Sequence, residues 1–171
     1  VLDIIDMLKK SENNTKYKVY AVIAPAIVSQ CRFGRPTQVV TAIQKLGFHQ
    51  VVEAALGADI TLYHEALEWK EKGLMTTSCC PSYVAFIEKN FPELVQHISH
   101  SVSPMILTAQ MIKKSDPTAK CIFIGPCASK KFEFKLPKTG GAIDCVMSFE
   151  ELQAFLDARG IDTTECEDTV L

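Results

Sequence analysis

The chain has 171 residues, 47% of them hydrophobic and 22% charged, with a formal net charge of −2 at pH 7. That length suits one domain with a substantial core, and the near-balanced charge gives no basis for binding nucleic acid or an anionic membrane surface. No apolar run reaches the ~20 residues needed to span a bilayer and no signal peptide opens the sequence, so a cytoplasmic protein is expected.

The chain opens on helix-like residues 1–10 without an initiating methionine, and residues 1–15 read as a leading helix and linker. From residue 16 to 171, apolar strand-like runs alternate with amphipathic helices. A first strand over 17–24 leads to a helix over 36–46, where Val39, Ile43 and Leu46 recur at helical spacing. A second strand, 50–54, precedes a helix over 59–72 with Asp59 as its N-cap. A third strand, 74–78, runs into a helix over 81–90, and another helix follows over 104–114. Pro81 and Pro104 suit first helical positions, where a missing N–H costs nothing. A fourth strand over 120–125, a surface loop over 136–141 and a fifth strand over 142–147 lead to a last helix over 149–159. Ser148 and Glu151 form its capping box. Strands alternating with helices imply parallel pairing through crossovers, hence an α/β fold: a parallel sheet flanked by helices. The sequence stops at Leu171 without a closing element and reads as a segment of a longer protein.

Cysteine usage is the unusual feature: Cys31, Cys79, Cys80, Cys121, Cys127, Cys145 and Cys166 are odd in number and form no disulfide framework. In a reducing compartment such residues are more often buried, metal-bound or reactive than bridged. Cys121 and Cys145 sit in short apolar runs and are assigned to the core. The other signals fall where α/β folds carry chemistry, in loops leaving strand C-termini. Three such loops, Ala24-Pro25-Ala26, Cys79-Cys80-Pro81 and Pro126-Cys127, are expected along one edge of the sheet.

Cys80 immediately precedes a helix, whose positive end favours a thiolate and suits it to ligate metal. Buried thiols or a redox pair are the alternatives. Cys79 cannot easily point the same way, so the adjacent cysteines are expected to do different jobs. Cys127 has Lys130 three residues on, and a cation beside a metal centre can donate to an anionic ligand. Taken alone, Lys130 and Lys131 read as a solvated pair. Glu65 and Glu68 share a helix face at i, i+3 and, alone, read as surface charges. A zinc site is disfavoured: there are no paired C-x-x-C knuckles, and His49, His64, His97 and His100 lack ligand spacing to the cysteines. His97 and His100 read as a polar surface.

Thr-Ser-Cys-Cys-Pro (77–81) followed by an aromatic, then Pro-Cys-x-x-Lys-x-x-Glu (126–133), resembles the first two signature motifs of [FeFe] (iron-only) hydrogenases. The resemblance extends from about Val19 to Asp162 and includes Ala24-Pro25, Leu46-Gly47-Phe48, Ala58-Asp59 and Phe91-Pro92-Glu93-Leu94. It implies one partial lobe of the catalytic domain. Its cofactor would be a 4Fe–4S cubane held by four thiolates and bridged to a two-iron subsite with CO, cyanide and a dithiolate. By that resemblance Cys80 and Cys127 are cubane ligands, and Cys79 passes protons to the dithiolate amine. Lys130 hydrogen-bonds a cyanide, while Ala24, Pro25 and Pro126 line the two-iron pocket. Glu65, Glu68 and Ser99 carry protons onward. The implied reaction is reversible oxidation of H2 under anaerobic conditions. The implied partners are a ferredoxin-type or NAD-linked electron carrier and maturation proteins.

Gly125, Tyr83, Ala26 and Met105 stand where the family usually has methionine, tryptophan, serine or threonine, and glutamine, which suggests a divergent or sensory type. The family's third cysteine motif is missing, and Cys145 and Cys166 do not replace it, so this segment alone is expected to be metal-free and inactive. Non-enzymatic relatives that act in cytosolic iron–sulfur assembly are the alternative; those typically lose the cysteine that matches Cys79.

Overall fold

A computed structural model describes residues 1–30 and 34–169, so Cys31 lies outside the described residues. Its frame is a four-stranded parallel sheet in the order β2-β1-β3-β4, formed by β1 (Val19–Ile23), β2 (Gln50–Glu53), β3 (Lys120–Ile124) and β4 (Cys145–Met147). The two central strands, β1 and β3, are near-continuous apolar runs, as a sheet covered on both faces requires.

The helices are α1 (Leu2–Lys10), α2 (Ile27–Gln30), α3 (Pro36–Lys45), α4 (Ala55–Lys72), α5 (Pro81–Asn90), α6 (Pro104–Ser115), α7 (Lys130–Glu133) and α8 (Phe149–Ala158). Helix α1 sends Ile4 into the main core, α3 sends Val39 and Ile43, α6 sends Met105 and Ile106, and α8 sends Leu152 and Leu156. The α8 capping box forms as expected, with Glu151 N–H on Ser148 Oγ at 3.2 Å and Ser148 N–H on Glu151 Oε2 at 2.8 Å.

Two expectations are corrected. Residues 74–78 are not a sheet strand: their one ladder contact is a parallel bridge from Thr76 to Ile98. Thr76 and Thr77 favour an extended backbone, but the segment runs beside the Ile98–Ser99 strip, outside the main sheet. Helix α4 starts at Ala55, so Asp59 is an exposed residue of its second turn and caps nothing. Cys121 is fully buried in the core, whereas Cys145, also packed against the core, sits at its edge and is half-buried.

Outside the main core, Val84 and Ile87 of α5 pack with Ile98 in a small separate cluster. This platform carries the Cys79-Cys80 loop. It is tied to the body through α4, which packs closely on α6. Gly57 makes that approach possible: it is buried, and a Cβ there would run into the Pro104 carbonyl and the Thr108 hydroxyl. Ala normally stabilises a helix relative to Gly by about 1 kcal/mol. At this position the clash reverses the sign, and Gly57→Ala should destabilise the fold by ~1–3 kcal/mol in urea denaturation.

Candidate metal and proton-transfer site

The pairing of β1 with β3 sets the floor of the site. Ala24 follows β1 and donates its N–H to the Ile124 carbonyl at 2.8 Å, while Gly125 follows β3 and donates to Met147 at 3.1 Å. Ala24 and Gly125 are therefore neighbours, each leading into an exposed proline, Pro25 or Pro126. A Cβ on Gly125 would meet the Phe123 ring at 2.7 Å and the Ala24 methyl at 3.1 Å. The Phe123 ring thus fills the space into which a methionine at 125 would project. Met105 is buried under α6, and the Tyr83 hydroxyl donates to Thr76 Oγ1 at 3.1 Å.

Cys127 is half-buried beyond this floor, whereas Cys79 and Cys80 are exposed. Cys80 is the N-cap of α5, with Pro81 at the first helical position. The cysteine doublet does not leave a strand of the sheet, so only two of the three expected loops share the sheet edge. The third is brought in by α5 packing beside α7, where the Ser82 and Ser129 hydroxyls bond to each other. Lys130 completes the clasp by donating to the Cys79 carbonyl at 2.9 Å.

Lys130 is no solvated lysine. Its side chain is 13% exposed and pairs at 2.5 Å with Glu133, which is 5% exposed. An ammonium group has three donors; the carbonyl and the carboxylate take two, leaving one free to serve an anionic ligand. Lys131, by contrast, pairs with Glu151 at 2.6 Å on the half-exposed side of α8. Among the described residues no three His, Cys, Asp or Glu side chains converge as a metal-binding set. Two unpaired thiols on clasped loops beside a buried cation nevertheless fit half of a thiolate-ligated iron–sulfur site.

The acidic pair on α4 is also not a solvated face. Glu65 is buried and its Oε1 accepts the Ser78 N–H at 3.4 Å. Glu68 accepts from buried Ser99 Oγ at 2.9 Å and from the His100 N–H at 3.1 Å. Thr76 and Ser99 are joined by backbone bonds, Thr76 N–H to His97 and Ser99 N–H to Thr76. The strip ending in Cys79 is thereby fastened between both glutamates and Ser99. Cys79 Sγ itself lies 3.3 Å from Thr77 Oγ1. No hydrogen bond joins Cys79 directly to Glu65 among the described residues. A cavity of about 410 Å³ opens behind the strip, touched by Ser78, Ser99, Ser103 and Glu133, so it borders the metal side and the proton side alike.

Burial pushes the Glu68 carboxyl pKa up, but hydrogen bonds from Lys72, Ser99 and His100 and the Lys72 charge outweigh it and hold it at about 2. Lys72 sits 2.7 Å from Glu68 Oε1. From the sequence, Glu133 is present only as the last residue of the 126–133 motif and His100 only as a polar surface residue, and Lys72 is not singled out at all. The i, i+3 spacing of Lys130 and Glu133 and the i, i+4 spacing of Glu68 and Lys72 were readable signals. His100 had none, because it meets Glu68 only through the fold.

With this geometry in place, the chain can be compared with known proteins. Residues 17–171 match the model of the iron-only hydrogenase large subunit, C-terminal domain. The chain belongs to that family. It is 31% identical to the periplasmic [Fe] hydrogenase large subunit of Nitratidesulfovibrio vulgaris, over 94% of this chain and 45% of that protein. It is 29% identical to iron hydrogenase 1 of Clostridium pasteurianum, over 96% and 33% of the respective chains. It is also 34% identical to the cytosolic Fe-S cluster assembly factor NAR1 of Kluyveromyces lactis, over 54% of this chain and 20% of that one. Apo [FeFe]-hydrogenase HydA1 from Chlamydomonas reinhardtii superposes with a TM-score of 0.84 at 25% identity, covering 98% of this chain and 49% of that one. The chain thus spans less than half the length of these relatives. No helix of the described residues is long and apolar enough to cross a membrane.

The depressed Glu68 pKa has a direct consequence for stability. Its carboxylate is favoured in the fold, so its contribution is fully present above the ordinary value of 4.5 and is lost as pH falls toward about 2. Denaturation of the wild type and Glu68→Gln should show the wild type more stable at pH 7, with the gap narrowing between pH 4.5 and 2.

Proposed function

We propose that the chain is part of an [FeFe] hydrogenase whose complete catalytic domain reversibly oxidises H2 to protons and electrons. The observation that carries this reading is that the strip running into the cysteine doublet is fastened at Ser78 to Glu65 and at Thr76 to Ser99, which in turn donates to Glu68. Hydrogen chemistry at an enclosed metal requires a proton path of this kind to solvent. In this reading Cys80 and Cys127 supply two of four thiolates to a 4Fe–4S cubane linked to a diiron subsite. Ala24, Pro25 and Pro126 line the pocket for that subsite. When bound, the cluster supplies the redox and hydrogen-splitting chemistry.

The chain's own residues position groups and move protons. Lys130, anchored by Glu133 and the Cys79 carbonyl, presents its remaining N–H to an anionic ligand in the pocket. Cys79 is the exposed thiol at the inner end of the proton route, Glu65 and Ser99 are its buried middle, and Glu68 is its outer carboxylate. Each step needs hydrogen-bond reach or one bridging water. The electron partner is a ferredoxin-type or NAD-linked carrier, and maturation proteins install the cluster in an anaerobic cytoplasm. The small or apolar residues Gly125, Ala26 and Met105 around the pocket fit a divergent or sensory member, since outer groups tune such centres.

A second reading, a non-enzymatic iron–sulfur assembly protein, is favoured by the NAR1 relatives. Infrared spectroscopy of the full-length, anaerobically matured protein separates the two. Iron-bound CO and cyanide stretches are expected, together with H2 turnover that Cys79→Ala lowers by ~10²-fold or more. A cubane signal without those bands would move the protein to the assembly class. The isolated 171-residue segment, with two of the four thiolates, should not retain a stoichiometric cubane.

A further inference from the structure

The outer end of the strip has a partner that the residue pattern did not announce. His100 follows Ser99, and its imidazole is exposed, with 83% of the side chain open to solvent. Its Nδ1 lies 2.7 Å from Glu68 Oε1 and 3.2 Å from Lys72 Nζ. One nitrogen therefore faces a carboxylate, which can only accept, and an ammonium, which can only donate. Nδ1 thus stands at ion-pair distance from Glu68 and in hydrogen-bond contact with Lys72, so one ring atom faces both a proton acceptor and a proton donor.

We propose that His100 is the proton-loading residue of this protein, exchanging protons with solvent and passing them to and from Glu68. The inference rests on the hydrogenase reading and deepens it. In the inward step the imidazolium Nδ1–H bond breaks and an O–H bond forms on Glu68 Oε1, leaving a neutral ring with its remaining proton on Nε2. The electron pair left on Nδ1, beside Lys72, then takes the next proton from hydronium or a buffer acid and restores the imidazolium. Oxidation of H2 runs the same step in reverse. His100 touches no reacting atom and acts only through Glu68.

Electrostatics explain why Glu68 needs such a partner. Three donors and the Lys72 charge keep it ionised far below neutrality, so by itself it gathers protons poorly from neutral water. Imidazole is the side chain whose charge ordinarily changes between pH 5 and 8. The charged groups in contact with the ring are Glu68 and Lys72 of α4. His64 of α4 lines a shallow groove with it, and Glu88 of α5, Glu133 of α7 and Lys138 line the cavity it also borders. The ring's exposure means that its replacement leaves the packed core untouched.

The test uses the full-length matured enzyme, with His100→Ala and His100→Gln compared with wild type in weakly buffered medium from pH 5 to 9. Hydrogen evolution by both variants should fall by about tenfold above neutrality, less than for a group at the reacting centre because water still reaches Glu68. The deficit should shrink at pH 5, where hydronium is plentiful, and free imidazole should restore the rate. Variants with wild-type rates at every pH, or a loss that imidazole does not relieve, overturn the assignment while leaving the hydrogenase reading intact. A matured wild type with no H2 turnover overturns both.

Discussion

Everything at the site depends on where one largely enclosed ammonium group sits. Lys130 bonds the Cys79 carbonyl and pairs with Glu133, and these contacts hold together two loops that arrive from different layers. One loop leaves the central sheet strand β3; the other sits on α5 and its small separate cluster. Charge-assisted bonds are stronger than neutral ones, so this clasp ties the two cysteine loops to each other. The same ammonium keeps one donor free, so the group that joins the two cysteine loops can also address an anion between them.

The proton side is built on a different principle. Its groups come from α4, from the Thr76–Cys79 strip and from the Ile98–Ser101 strip, which two backbone hydrogen bonds lock together. None of these segments belongs to the sheet. They are placed by the close approach of α4 to α6 at Gly57, which sets how far Glu65 and Glu68 stand from the strip. Ser78 and Ser99 both border the cavity that Glu133 also touches, so the metal clasp and the proton strip share one interior space. A shift of α4 would move the two glutamates against the strip before it moved the thiol pair.

The charge arrangement runs in one sense along this route. Inside, Glu133 is matched by Lys130; outside, Glu68 is matched by Lys72 and bonded to the backbone beside His100. Each carboxylate is thus held in place by a lysine close to it in sequence, and the two pairs flank the buried Glu65 and Ser99 between them.

Local pattern alone determined the parallel α/β class, the helices that open at Pro81 and Pro104, the Ser148 capping box and the cysteine motifs. These follow from periodicity, capping chemistry and residue order, all of which act over a few positions. Tertiary structure alone decided that residues 74–78 leave the sheet, that Cys145 is only half-buried, and that Glu65, Glu68 and Lys130 are not surface charges. It also decided that His100, 32 positions from Glu68, lies beside it. Burial and pairing of a charge depend on which distant element covers it. Two glutamates on one helix face read the same whether water or a serine strip lies opposite, and only the packing of α4 against that strip distinguishes the two.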